Sequence, residues 1–83
     1  MDVNDLYYSL LPEDSILQVM KQNAGEVKIA NRDYWLDAAS GKAFKNGDKE
    51  TAEVLWLKLL QYYPSSPYAK NASLNLLKLY QNE

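Results

Sequence analysis

Three pairs of side chains are spaced closely enough to invite a chemical reading. Ser40 and Lys42 are a nucleophile and a base two residues apart, Glu13 and Asp14 are adjacent carboxylates, and Lys49 and Glu53 are opposite charges one helical turn apart. Residues two apart on a helix do not face each other, which separates Ser40 from Lys42. Adjacent carboxylates point to different sides, so Glu13-Asp14 reads as charge at a helix start, where the dipole favours anions. Lys49 and Glu53 make a solvated pair contributing about a few tenths of a kcal/mol. The chain has no histidine and no cysteine. That removes the commonest metal ligands, the Ser-His and Cys-His nucleophile pairs, the usual general base and any disulfide. Carboxylate, lysine or tyrosine chemistry remains, without a constellation to support it. The sequence therefore predicts no catalytic, cofactor-binding or metal-binding residue.

Bulk properties narrow the class further. Eighty-three residues make one small domain, burying roughly 60–65% of its unfolded surface, with a stability on the order of 5 kcal/mol. An apolar content of 47% supplies a core and argues against disorder. The net charge of −2 is unevenly placed. Asp2, Asp5, Glu13, Asp14 and Glu26 stand against Lys21 alone in residues 1–26, giving −4, and the remainder carries +2. An acidic head without a compensating basic run speaks against nucleic acid as a partner. No apolar stretch is long enough to cross a bilayer, and no basic-then-apolar leader is visible.

The elements that would position any site are helical. Asn46-Gly47 is a turn dipeptide, and Asp48 is the N-cap of a helix over about 48–62. Ala52, Leu55, Trp56, Leu59, Leu60 and Tyr63 recur at helical spacing, and Pro64 and Pro67 end the run. Val54 and Leu57 widen this apolar stripe, so the helix should touch two neighbours. Before it, a helix from about Asn31 to Lys45 carries a small-residue stripe of Leu36, Ala39, Ser40 and Ala43 that admits a close neighbour. After it, a helix from Ser66 or Pro67 to Gln81 offers Ala69, Ala72, Leu76, Leu79 and Tyr80, leaving Leu74 and Leu77 off the stripe and in need of cover.

Upstream, Pro12, the Ile16-Leu17-Met20 stripe and Gly25 predict a helix over 12–24. Leu6 with Leu10, and Tyr7 with Leu11, allow a short helix from about Asp5. Glu26-Val27-Lys28-Ile29 alternates like a strand but has no partner, so it reads as a connection or a frayed first turn. Trp35 and Trp56 read as core or helix-junction residues. Tyr62, Tyr63, Tyr68 and Tyr80 read as inter-helix packing with wet hydroxyls.

Residues 33–67 resemble one tetratricopeptide repeat, a pair of antiparallel helices with a thirty-four-residue period. Leu36, Ala39, Ala43 and Asn46-Gly47-Asp48 follow the first helix and its turn; Glu50, Ala52, Trp56 and Pro64 follow the second and its end. Ser40 stands where the family has glycine, and Leu59 where it has a small alanine. The segment from Tyr63 to Ala72 is similar to the linker of bacterial cell-envelope tetratricopeptide proteins of the outer-membrane assembly lipoprotein and Tol–Pal-associated kind. The expected architecture is all-α in one domain: an N-terminal helical segment (1–32), one repeat-like hairpin (33–67) and a capping helix (68–83).

The resemblance implies a non-catalytic interaction module, an adaptor or assembly factor that holds a peptide or helix of another protein in a groove lined by first helices. Carried over by position, the groove would present Tyr34, Asp37, Phe44 and Lys45, joined by Lys70, Ser73, Leu77 and Tyr80. Two alternatives stay open. Residues 5–24 can pack on these side chains themselves, because Ile16, Leu17 and Met20 must be buried somewhere. The chain can also be a scaffold piece of a longer envelope protein, associating with itself through Leu74 and Leu77. A native start at Met1 implies the cytoplasm, and excision from an envelope protein implies the periplasm.

Overall fold

A computed structural model describes residues 12–81, and they form four α-helices: α1 (Glu13–Gln22), α2 (Arg32–Lys45), α3 (Lys49–Tyr62) and α4 (Pro67–Gln81). The fold is all-α. The helix suggested from Asp5 lies outside the described residues.

Asp48 sets the start of α3. Its carboxylate accepts the Thr51 backbone N–H at 3.2 Å and the Thr51 hydroxyl at 2.7 Å, satisfying a donor that the first turn leaves free. These bonds, with Lys21 at 3.5 Å, hold the Asp48 carboxyl below its ordinary pKa. Short connections fold α2, α3 and α4 back on one another, so α3 lies between two neighbours. Ala52, Leu55, Trp56 and Leu59 make both contacts, while Val54 and Leu57, expected to widen the stripe, stay exposed. Ala52, Leu55, Trp56 and Leu59 of α3 are buried in one cluster with Leu36, Ala39 and Ala43 of α2 and Ala72, Leu76 and Leu79 of α4. Ser40 is fully buried and donates to the Leu36 carbonyl at 2.6 Å, so its hydroxyl is spent within its own helix.

The first helix ends two residues before the predicted limit, for a local reason. Ala24 and Gly25 both adopt positive φ (50° and 81°), and the Gly25 N–H reaches back to the Met20 carbonyl at 2.8 Å, a left-handed C-terminal stop. Gly25 is also a packing requirement, since a Cβ there would lie 2.7 Å from Leu36 Cδ2 and 3.0 Å from Leu55 Cδ2. Residues 26–29 then form a connection and not a helical turn. Their alternation survives without a strand partner, with Val27 and Ile29 buried in the core and Glu26 and Lys28 exposed. Asn31 at φ 57° redirects the chain into α2, which begins at Arg32.

Candidate functional site

Glu26 ties this connection to α3. One carboxylate oxygen accepts from Lys58 Nζ and from the Tyr62 hydroxyl at 2.6 Å, and the other faces Arg32 at 3.2 Å. The Arg32 guanidinium also donates through Nε to the Gly25 carbonyl at 2.9 Å and lies 4.9 Å from the centre of the Tyr62 ring. The hydrogen bonds from Lys58 and Tyr62 hold the Glu26 carboxyl at about 2, and the same contact with Glu26 raises the Tyr62 phenol. The Tyr62 hydroxyl, expected to be wet, is thus bound. The whole cluster is satisfied internally and holds the fold. No sequence signal marks it, because Arg32, Lys58 and Tyr62 lie 6 to 36 residues from Glu26.

The outward face of α2 is different. Tyr34 and Phe44 are partly exposed, and each rests on a ring behind it. Tyr34 meets Tyr68 of α4 edge-on at 5.8 Å, and Phe44 tilts against the buried Trp56 at 5.7 Å. Between them Asp37 makes no hydrogen bond or ion pair with any described residue, and its partial burial raises its carboxyl above the ordinary 3.8. Asp37, Ala38, Gly41 and Lys45 form the floor of an open groove of about 580 Å³, walled by Glu13, Asp14 and Leu17 of α1. A narrower crevice of about 100 Å³ continues toward Lys21 and Asp48. Lys42 is paired with Asp14 at 3.4 Å and lies away from the buried Ser40.

Tyr34, Asp37, Phe44 and Lys45 share one face of α2, and of these Asp37 and Lys45 line the groove. Lys70, Ser73, Leu77 and Tyr80 share a stripe of α4, but a different one. Tyr68 is the α4 residue that turns toward Tyr34, and at 100° per residue Asn71, Asn75 and Lys78 fall on its side. Lys70, Ser73, Leu77 and Tyr80 lie well round the helix from it, near Leu74. Leu74 and Leu77 are 50% and 55% exposed, uncovered by α1. Ser66 supports the α2–α4 junction by donating to Asp33 at 2.6 Å. The side that Tyr68 marks lies two positions upstream along α4 from the set first carried over, which turns it about 200° round the helix.

Among the described residues no group of acidic side chains could hold a metal ion, and no helix is long and apolar enough to cross a membrane. No family model, curated protein or solved structure matches the chain.

Proposed function

We propose that the chain is a tetratricopeptide-like, non-catalytic interaction module that holds a helical or extended segment of another protein across the outward face of α2. The observation carrying this reading is Asp37, an unpaired and partly desolvated carboxylate between two aromatic side chains that other rings hold in place. An unpaired charge that water only partly reaches gains from a donor on a ligand, and supported aromatics give contact area at little entropic cost. A peptide with apolar anchors and one cationic residue would suit the face.

Selection of such peptides from a display library, followed by amide-shift mapping, tests the proposal. Shifts should centre on Tyr34, Asp37, Gly41 and Tyr68, and Tyr34→Ala with Phe44→Ala should weaken binding at least tenfold. Binders mapping to the Val54 and Leu57 side of α3, or indifferent to both substitutions, would overturn it.

A second reading draws on Leu74 and Leu77, the most exposed leucines of the described chain. They lie where a further helix of a stack would sit, which supports a self-associating or scaffold role. A sedimentation mass that rises with concentration in wild type but not in Leu77→Glu would favour it.

A further inference from the structure

We infer that the outward face of α3 on one copy of this chain docks on the outward face of α4 on a second copy, a head-to-tail contact that can repeat. The inference rests on the self-associating role given above and names what covers Leu74 and Leu77.

Each face carries two exposed apolar side chains and two charges of one sign. On α3, Val54 and Leu57 are exposed, and Glu50 and Glu53 flank them. At 100° per residue these four fall within about 100° of the helix, turned away from the buried Ala52, Leu55, Trp56 and Leu59. On α4, Lys70 and Lys78 flank Leu74 and Leu77, again within about 100° and opposite the buried Ala69, Ala72, Leu76 and Leu79. Helix α4 has no carboxylate of its own. Glu50, Glu53, Lys70 and Lys78 make no ion pair with a described residue, so the Lys49–Glu53 pair expected from spacing does not form.

Charge chooses the pairing. Two α4 faces together would gather lysines without a carboxylate, and two α3 faces would gather glutamates; both oppose like charges. An α3 face on an α4 face joins opposite charges around a shared apolar centre. The spacing fits as well. Antiparallel helices that set Val54 against Leu77 and Leu57 against Leu74 also set Glu53 against Lys78 and the Gln61 amide against Lys70, because equal steps along both helices keep the register. The contact is heterologous, so a pair of molecules keeps one face of each kind free for the next. One helix-on-helix contact is small, so association should be weak, with a Kd on the order of 0.1–1 mM, and weaker still at high salt.

Sedimentation of the full-length chain at concentrations up to about 1 mM tests this. The wild-type mass should rise with concentration and pass that of a dimer. Leu57→Glu and Leu77→Glu, both at exposed positions, should each stay monomeric, with urea midpoints like that of wild type. Mixing the two should give a dimer and nothing larger, since the first keeps an intact α4 face and the second an intact α3 face. Glu50→Lys with Glu53→Lys should also be monomeric alone and should associate with a copy carrying Lys70→Glu and Lys78→Glu. If either leucine variant unfolds, this charge-reversed pair decides. Association kept in Leu57→Glu would overturn the inference, and its loss in Leu77→Glu alone would then leave self-association through α4 by itself. Loss in both variants without recovery on mixing would overturn it too. A wild-type chain that stays monomeric at every concentration would remove the inference and the self-associating role together.

Discussion

Single residues show how differently one residue type can serve. Gly25 is in the left-handed region and pressed against Leu36 and Leu55, whereas Gly41 sits mid-helix with open space beside it. Gly25→Ala adds both backbone strain and overpacking, so it should cost about 2–4 kcal/mol. Gly41→Ala only removes the flexibility of glycine in a helix and should stabilise by about 0.5–1 kcal/mol. Urea unfolding followed by circular dichroism separates the two, and equal effects would contradict the packing at Gly25. Glu26 governs the acid limb. Its folded pKa of about 2 lies below the ordinary 4.5, so the unfolded chain binds the extra proton between these values. The stability that Glu26 contributes is complete above about pH 4.5 and is lost as pH falls toward 2. Asp37 works in the opposite sense, because burial raises its pKa and protonation favours the folded form. Glu26→Gln should therefore lower the urea midpoint at pH 7 and flatten its decline below pH 4.5, while Asp37→Asn should raise the midpoint at pH 7. A Glu26→Gln profile parallel to wild type across this range would refute the clasp.

At the scale of elements, the helices were legible wherever local chemistry and periodicity agreed. Asp48 capping, the Ala52 to Leu59 stripe and the prolines around residues 64–67 mark α3 from the residues alone, and the observed Lys49–Tyr62 follows them. The connection at 26–29 was harder, because four alternating residues do not say what buries them; Val27 and Ile29 enter a core built from distant helices. The Glu26 clasp was illegible for the same non-local reason. The outward face of α2 was half legible: spacing grouped Tyr34, Asp37, Phe44 and Lys45 on it, while only the Tyr34–Tyr68 contact fixes which stripe of α4 lies beside it. Within α3 the stripe itself is testable. Leu55 is fully buried and Leu57 is 46% exposed, so Leu55→Ala should cost about 2–5 kcal/mol and Leu57→Ala less than about 0.5 kcal/mol. Comparable losses in chemical denaturation would mean that the face of α3 turned inward is misassigned.

At the scale of the molecule, stability should be graded along the stack. The Cα trace extends 41 × 26 × 15 Å, and the shortest dimension has room for two layers of helices at most. Burial therefore depends on lateral neighbours, and the two inner helices have one along each side: α2 lies between α1 and α3, and α3 between α2 and α4. In α3, Ala52, Leu55 and Leu59 are fully covered, and Trp56 is so deep that its indole N–H finds no acceptor among the described residues. Helix α4 is anchored through one stripe and leaves Leu74 and Leu77 in water, while α1 holds by three buried side chains, Ile16, Leu17 and Met20, plus exposed ion pairs from Lys21 and Asp14. Opening α1 or α4 breaks chiefly one interface, but opening α2 or α3 breaks the central α2–α3 packing as well. Helix α3 carries the most fully covered side chains, so its amides exchange only by near-global unfolding. Native-state hydrogen exchange should rank protection α3 first, then α2, with α1 and the last turn of α4 lowest. Leu79→Ala should deepen the deficit in α4 more than in α3. Equal protection across all four helices would show a single cooperative unit, and α1 protected as strongly as α3 would mean that chain outside the described residues covers its free side.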